Sequence, residues 1–213
     1  MKTLIFVGGS TASGKSTLAD SLSESIPNSI RYRRYQGFFD IAASKNISES
    51  EIYKKITSKE VDDWFVDVCW KSDTVISDVH YAVQMNRISK IQSEDINIYQ
   101  NYVPTISKDL VQKLLSKNIR VIAVYLYCSP KECMNRAVSR YNKTQKDIRN
   151  ISVEDAYIES VAEEKEWVNL LQSNMIEGLK LNSELLSVEQ LTCECLEHLK
   201  KYDEKSLKKI KKQ

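Results

Sequence analysis

The chain has 213 residues, of which 42% are hydrophobic and 28% are charged, and its net charge is +2. This composition excludes fibrous, collagen-like and wholly disordered proteins, and it predicts one globular domain with a substantial core. A charge so close to neutral does not predict nucleic-acid or membrane binding by the chain as a whole.

The first half of the chain alternates predicted strands and helices. Leu4–Val7 is an apolar run that ends at two glycines, which is typical of a buried parallel strand. A helix is predicted from Lys15 to about Ser25, a short polar strand over residues 29–32, and a helix over residues 48–70. Thr74–Asp78 is the next buried strand and ends on a carboxylate.

The second half continues this alternation after residues 81–104, which are predicted to form a loop with broken helix. The later elements are a helix from Ser107 to about Lys117, the strong strand Arg120–Tyr127, a helix from Pro130 to about Tyr141, a helix over 152–171, a strand over 178–182 and a helix over 187–201. The pattern predicts a three-layer α/β/α fold with a mostly parallel five-stranded sheet.

The motif with the clearest chemistry lies between the first strand and the first helix. Its sequence fits G-x-x-x-x-G-K-[ST], and its residues are Gly9, Ser10, Thr11, Ala12, Ser13, Gly14, Lys15 and Ser16. In such a P-loop the backbone N–H groups surround phosphates, the lysine reaches the terminal phosphate oxygens and the serine hydroxyl binds Mg²⁺. Thr17 is a further candidate contact to the α-phosphate. The sequence therefore predicts ATP and Mg²⁺ as cofactors.

Asp78 ends the third-strand candidate, where P-loop proteins need a carboxylate for Mg²⁺. We therefore predict Ser16 and Asp78 as metal ligands, with a strand-end cap as the alternative for Asp78. His80 follows two residues later, and for it a structural hydrogen bond competes with a catalytic role.

Arginines on two segments could neutralise phosphate charge. Arg136 and Arg140 are spaced i,i+4 on one predicted helix, and Arg149 closes the polar segment after it. Folded over ATP, they would stabilise the charge that develops during transfer, whereas the alternative is a solvated helix end. Lys15, Asp78, Arg136 and Arg140 are the predicted catalytic residues.

A second basic group follows the weak second strand and offers an acceptor site. Arg31, Arg33 and Arg34 could hold an acceptor phosphate, with Asp40 as the base for an acceptor hydroxyl; the alternative is a basic surface edge. The segment Tyr99–Tyr102 could face an acceptor ring, although core packing of its tyrosines is the competing interpretation.

In the order of these parts the chain resembles the nucleoside-monophosphate-kinase-like P-loop proteins over nearly its whole length. Asp78-Val79-His80 is similar to the Asp-x-His of archaeal-type adenylate kinases, and Arg140-Tyr141-Asn142 looks like the start of their short lid, placed at about 141–151. The resemblance implies phosphate and metal roles for Lys15 and Ser16, a metal role for Asp78, and lid roles for Arg136 and Arg140. The loop residues 11–15 also look like those of tRNA prenyl transferases.

We therefore expect an ATP-dependent phosphotransferase whose acceptor is a small molecule, most naturally a nucleotide or nucleoside. The alternatives are a nucleotide-binding regulatory ATPase and an RNA-acting kinase or transferase. ATP is expected over GTP because residues 142–145 lack the aspartate of Asn-Lys-x-Asp.

The domain is predicted to span residues 1–202, followed by a Lys-rich tail over 203–213. From residue 200 onward the chain has seven lysines and two acidic residues, so this end is the part that could contact nucleic acid or an acidic lipid. A solvated helix end is the simpler interpretation. We expect no membrane span and no signal peptide. Because the five cysteines show no paired spacing, we expect the protein to be located in the reducing cytoplasm. The oligomeric state is left open.

Overall fold

The computed structural model describes residues 2–82, 106–144, 152–174 and 176–210. The predictions for Tyr99–Tyr102, for Arg149 and for most of the lid segment fall outside these residues. Among the helices of the described residues, none combines the length and the apolar character that a membrane crossing requires.

Five strands and eight α-helices make up the described chain, together with a 3₁₀ turn at Glu49–Glu51. The strands are β1 (Thr3–Gly9), β2 (Ser29–Arg31), β3 (Thr74–Asp78), β4 (Arg120–Tyr127) and β5 (Glu177–Asn182). The helices are α1 (Lys15–Ser25), α2 (Gln36–Lys45), α3 (Ile52–Lys55), α4 (Ser58–Lys71), α5 (Lys108–Ser116), α6 (Pro130–Thr144), α7 (Val153–Asn174) and α8 (Val188–Ile210).

All five strands pair in parallel, in the order β2-β3-β1-β4-β5. In this register Val7 lies opposite Asp78 and Gly9 lies opposite Leu126. The carboxyl ends of β1, β3 and β4 therefore meet at one edge of the sheet, where ligands of open parallel sheets bind. This arrangement is the predicted three-layer α/β/α fold.

The two faces of the sheet carry two separate cores because successive strand residues point in opposite directions. From β1, Leu4 and Phe6 face a core shared with α4, α5 and α7, whereas Ile5 and Val7 face a core shared with α1 and α8. Both faces are covered by helices, which explains why β1 and β4 are apolar runs without alternation.

The helix predicted over residues 48–70 is interrupted in the structure. Ile56 is extended and almost fully buried, with 2% of its surface exposed, and Thr57 starts α4 as its N-cap. The Thr57 side chain accepts from the Glu60 N–H while the Glu60 carboxylate accepts from the Thr57 N–H, so a capping box sets this boundary. The structure adds α2, which the sequence analysis did not predict, and extends α8 through residue 210.

Candidate active site

The loop between β1 and α1 takes backbone conformations that its glycines permit. Gly9 has φ of 143°, and a Cβ there would lie 2.1 Å from the Leu126 carbonyl oxygen of β4. Gly14 has φ of 96° and is the N-cap of α1, so Lys15 is the first residue of the helix. The loop therefore bends tightly against the sheet and presents the N-terminus of α1 at the sheet edge.

Lys15 turns its ammonium group back onto its own loop. Its Nζ donates to the carbonyl oxygens of Gly9 and Ser10 at 2.8 and 2.7 Å. A lysine in this position stands beside the space that the loop encloses, within reach of a group bound there. The side chain is half-buried, so movement from these carbonyls to a ligand would not disturb the core.

Ser16 and Asp78 meet across the edge of the sheet. The Ser16 hydroxyl donates to Asp78 Oδ2 at 2.7 Å, which joins the first turn of α1 to the end of β3. Two oxygen donors at this spacing match the ligand preference of Mg²⁺. Thr17, the further candidate phosphate contact, is exposed on α1.

Two arginines hold the other oxygen of Asp78. Arg31 Nη1 and Arg33 Nε each lie 2.7 Å from Asp78 Oδ1. Burial alone would raise the pKa of Asp78, but the hydrogen bonds from Arg31 and Ser16 and the charges of the two arginines lower it to about 2. Asp78 is thus a carboxylate at every physiological pH. It bonds both to Ser16 of α1 and to the two arginines at the end of β2.

Arg34 and Asp40, the remaining members of the predicted acceptor group, bond to other partners. Arg34 is buried and pairs with Asp62 of α4 at 2.5 Å. Asp40 of α2 accepts from the Tyr32 hydroxyl, which in turn accepts from Trp64 Nε1 at 3.1 Å. The structure brings Arg31 and Arg33 to Asp78 and uses Arg34 to attach α4.

A glutamate from α7 binds the phosphate loop. Glu159 Oε1 accepts from both the backbone N–H and the hydroxyl of Thr11, each at 2.7 Å. The loop donors of Thr11 therefore face a negatively charged oxygen, the type of group for which a P-loop is built. Sequence reasoning missed Glu159.

One helical turn further along α7, Glu163 is fully buried beside the end of β3. Its carboxyl group contacts His80 Nδ1 at 2.7 Å and accepts from the Tyr81 N–H at 2.7 Å. Burial raises the pKa of Glu163 to about 8, although the charge of Lys15 opposes this. One ligand atom each from His80, Glu159 and Glu163 lie within 4.8 Å of one another, a spacing that suits a divalent cation.

The sequence holds a signal for Glu163. Along α7 the buried residues Ala156, Glu163 and Leu170 recur every seven positions. A carboxylate in the middle of an apolar helix face is costly unless it is paired, so it marks a polar partner on the neighbouring element. Which partner it meets depends on the packing of α7 against β3.

The two predicted lid arginines occupy different surroundings. Arg136 bonds to Glu132 within α6 at 2.7 Å, and it also donates to the Ser183 hydroxyl and carbonyl oxygens just after β5. Arg140 lies one turn further along α6 and is exposed. In this arrangement Arg136 attaches α6 to the end of β5, and the lid roles of both arginines stay predictions.

The parallel sheet and the loop at its edge define a P-loop protein of the α/β/α class. A family described as an AAA domain matches residues 5–157, and the chain belongs to that family. No curated protein matches the sequence.

Solved structures of two kinases and of a tunicamycin resistance protein have the same fold. A deoxyadenosine kinase from M. mycoides with bound dATP has a TM-score of 0.52 and 16% identity, covering 94% of this chain and 100% of that chain. A shikimate kinase from Acinetobacter baumannii in complex with shikimate has a TM-score of 0.51 and 11% identity, and the match covers 95% of this chain and 94% of that chain. A tunicamycin resistance protein from Deinococcus radiodurans has a TM-score of 0.50 and 11% identity, and the match covers 93% of this chain and 96% of that chain. At these identities the likeness shows the fold alone, and it confirms the predicted P-loop fold.

Proposed function

We propose that this protein is an ATP-dependent phosphotransferase that moves the γ-phosphoryl group of ATP to a small molecule. The observation that carries the proposal is the meeting of the loop, Lys15, Ser16 and Asp78 at one edge of the sheet. Proteins of the same fold are a deoxyadenosine kinase with bound dATP and a shikimate kinase with shikimate, which supports small-molecule acceptors as a class. A nucleotide or nucleoside is the acceptor we favour.

The donor half of the site is the P-loop. The loop N–H groups and the N-terminus of α1 would surround the ATP phosphates, with Thr17 beside the α-phosphate. Lys15 would leave the carbonyl oxygens of Gly9 and Ser10 and bind the β- and γ-phosphate oxygens instead. The Glu159 carboxylate would leave Thr11 as the phosphates enter, because two anionic groups repel each other at one set of donors.

The residues present fit a Mg²⁺ ion. The Ser16 hydroxyl and Asp78 Oδ2 are adjacent hard oxygen donors, and the low pKa of Asp78 keeps that carboxylate ionised. When bound, the ion supplies charge that offsets the phosphate oxygens. The protein's part is to hold both donors, and the contacts of Arg31 and Arg33 with Oδ1 orient the carboxylate so that Oδ2 faces Ser16.

The acceptor half lies beyond the ends of β2 and β3. Arg33 stands next to Tyr35, whose hydroxyl accepts from Arg33 Nη1 at 2.9 Å, so a cation and a ring lie side by side near Asp78. In this proposal Arg31 and Arg33 bind phosphate or hydroxyl groups of the acceptor. Asp40, which is hydrogen-bonded to the Tyr32 hydroxyl, acts on a nearby hydroxyl group of the acceptor. A phosphorylated or polyhydroxylated acceptor with a ring fits these groups best.

Transfer would be an in-line displacement on the γ-phosphorus. The acceptor hydroxyl oxygen forms the new P–O bond while the bond from the γ-phosphorus to the β,γ-bridging oxygen breaks, and the acceptor proton passes to a nearby carboxylate. Lys15 and the loop neutralise charge on the departing ADP. Arg136 and Arg140 of α6 would close over the phosphates and exclude water, which would suppress hydrolysis of ATP.

A second function is favoured by the contact of Glu159 with Thr11. A loop that holds a carboxylate of its own chain has a stable empty state, as expected for a regulatory ATPase that switches between empty and occupied forms. Such a protein would bind ATP and hydrolyse it slowly, without stimulation by any small acceptor.

ATP consumption with Mg²⁺ across a panel of nucleoside monophosphates, nucleosides, shikimate and simple alcohols tests the proposal. The controls are Lys15→Ala, which removes the loop cation, and Lys71→Ala, which removes an exposed lysine paired with Asp67 on α4. Acceptor-dependent turnover that Lys15→Ala abolishes and Lys71→Ala retains would establish the kinase. ATP binding with a flat panel would favour the regulatory ATPase, and absence of ATP binding would contradict both functions.

A further inference from the structure

Two cysteines face each other directly behind the phosphate loop. Cys128 follows the last residue of β4 and Cys133 lies near the start of α6, with 3% and 1% of their surfaces exposed. Their Sγ atoms are 2.7 Å apart, and Cys133 Sγ is 3.4 Å from the Ser10 hydroxyl of the loop. The Cys133 N–H donates to the Ser129 carbonyl at 2.9 Å, so the first turn of α6 holds the two thiols together.

The surroundings make the two thiols chemically unequal. The hydrogen bond with Cys128 lowers the pKa of the Cys133 thiol, against the opposing effect of burial. The Ser10 hydroxyl and the charge of Lys15 also lower this pKa, whereas the charge of Glu159 raises it. The same contact with Cys133, together with burial, raises the pKa of Cys128. One sulfur is therefore a good nucleophile at neutral pH, and the other is a neutral thiol placed to react with its product.

We propose that Cys128 and Cys133 form a peroxide-reactive dithiol that closes to an intramolecular disulfide, and that nucleotide bound at the adjacent P-loop slows this reaction. A disulfide needs an S–S distance of about 2 Å, so closure requires little movement from the 2.7 Å contact. The oxidant is a small uncharged hydroperoxide such as hydrogen peroxide, because both sulfur atoms are covered and exclude bulky disulfides.

The chemistry proceeds in two balanced steps. The Cys133 thiolate attacks one peroxide oxygen, an S–O bond forms, the O–O bond breaks, and the departing hydroxide takes a proton to leave as water. The Cys128 thiol then attacks the Cys133 sulfenic sulfur, the S–S bond forms, and the S–O oxygen leaves as a second water with the Cys128 proton. Two thiols are oxidised by two electrons in total, and the peroxide is reduced to two water molecules.

The link to the P-loop runs through Ser10 and Lys15, and this part of the inference rests on the proposed function. ATP would replace the single Glu159 carboxylate charge near Cys133 with the charges of several phosphate groups, and it would draw Lys15 away from the Ser10 carbonyl. The gain of phosphate charge and the loss of the Lys15 contact outweigh the departure of Glu159 and disfavour the thiolate, so bound ATP should slow the oxidation of Cys133 severalfold. Disulfide closure would shift Cys133 Sγ, which contacts the Ser10 hydroxyl of the loop, and would thereby also alter nucleotide affinity.

Hydrogen peroxide treatment of the reduced full-length protein, followed by intact and peptide mass spectrometry, tests the dithiol without any assay of catalysis. We expect the loss of two hydrogen masses, a Cys128–Cys133 crosslinked peptide and reversal by dithiothreitol. Buried Cys69 and Cys195 and exposed Cys193 are controls within the same chain. A crosslink that excludes this pair, or oxidation first at Cys193, would overturn the proposal.

The order of attack is tested with Cys128→Ser and Cys133→Ser. With a sulfenic-acid probe present, Cys128→Ser should be labelled at Cys133, whereas Cys133→Ser should stay unlabelled at Cys128; the reverse pattern contradicts the assignment of the nucleophile. Saturating ATP should slow wild-type oxidation severalfold. ATP that is shown by titration to bind, yet leaves the rate unchanged, would overturn the coupling, whereas ATP that does not bind would contradict the proposed function.

Discussion

At the scale of single residues, Lys15 and Asp78 carry the opposite charges of the site. Lys15 bonds to two carbonyl oxygens of its own loop, and Asp78 bonds to Ser16 and two arginines. Neither residue belongs to the two large cores of the sheet. Changing either one should therefore alter chemistry and local electrostatics more than it alters folding.

Lys15→Ala should lower acceptor-dependent turnover by about a hundredfold or more, because transition-state charge loses its main cationic partner. Its free energy of unfolding should fall by about 1 kcal/mol or less, since two hydrogen bonds in a half-buried setting are lost. Steady-state kinetics and urea unfolding of the same samples measure both effects. A variant that fails to fold would show that Lys15 is structural.

Asp78 should make the protein sensitive to acid. In the folded protein the pKa of Asp78 is about 2, below the value of 3.8 for a free aspartate. The ionised Asp78 therefore stabilises the folded state at pH values above 3.8, and this stabilisation is lost as the pH falls towards 2. Between about pH 5 and about pH 2, wild type should lose about 2 kcal/mol more unfolding free energy than Asp78→Asn.

Denaturant unfolding across this pH series measures the effect, with Asp67→Asn, an exposed carboxylate of α4, as the matched control. The control should keep the acid dependence of the wild type. Parallel pH profiles for wild type and Asp78→Asn would contradict the ion-pair interpretation.

At the scale of elements, capping decides where the helices between β2 and β3 begin and end. The apolar spacing over residues 48–70 is continuous in sequence, yet α3 ends at Lys55 and α4 begins only at Ser58, with Ile56 and Thr57 extended between them. Ile56 belongs to the small core of α2, α3 and α4, and an extended residue there lets α3 turn back onto α2. The ion pair of Arg34 with Asp62 attaches α4 next to Arg31 and Arg33, the residues that bind Asp78.

Thr57→Ala should lower the free energy of unfolding by about 1 kcal/mol, because the α4 N-terminus loses both halves of its capping box. Lys59→Ala, which changes an exposed residue in the same helical turn, should stay within about 0.5 kcal/mol of wild type. Guanidinium unfolding followed by circular dichroism compares the two. Equal stabilities would mean that packing of Ile56 alone sets the break.

At the scale of the whole molecule, α7 links one face of the sheet to the phosphate loop. Trp167 packs on Tyr125 with ring centroids 5.5 Å apart, and its Nε1 donates to the Ala123 carbonyl of β4 at 2.9 Å. The same helix carries Glu159 to Thr11 and Glu163 to His80. The position of these carboxylates thus depends on how α7 is seated on the sheet.

Trp167→Phe should lower the free energy of unfolding by about 2 kcal/mol, because a smaller ring leaves space and the Ala123 carbonyl loses its donor. Trp70→Phe is the matched control, since Trp70 is 48% exposed and should tolerate the change within about 0.5 kcal/mol. Thermal and urea unfolding measure both variants. Similar effects at the two tryptophans would show that α7 does not depend on this contact.

The strands, the fold class and the phosphate loop follow from the amino-acid sequence, because these features depend on short-range patterns. The apolar runs at Leu4–Val7 and Arg120–Tyr127 indicate strands buried on both faces, and the loop motif requires glycine at two positions with positive φ. The interruption at Ile56 and the presence of α2 were missed, because packing outweighed the local periodicity there.

The side chains that meet at the loop come together only in the folded chain. Arg31 pairs with Asp78 across 47 positions of sequence, and Glu159 reaches Thr11 across 148, so no local pattern relates the partners. Their meeting follows from the strand order β2-β3-β1-β4-β5, which places the ends of β2 and β3 beside the loop, and from the seating of α7 on β4. Parallel strands bring their carboxyl ends to one edge, and that geometry is set by the assembled sheet.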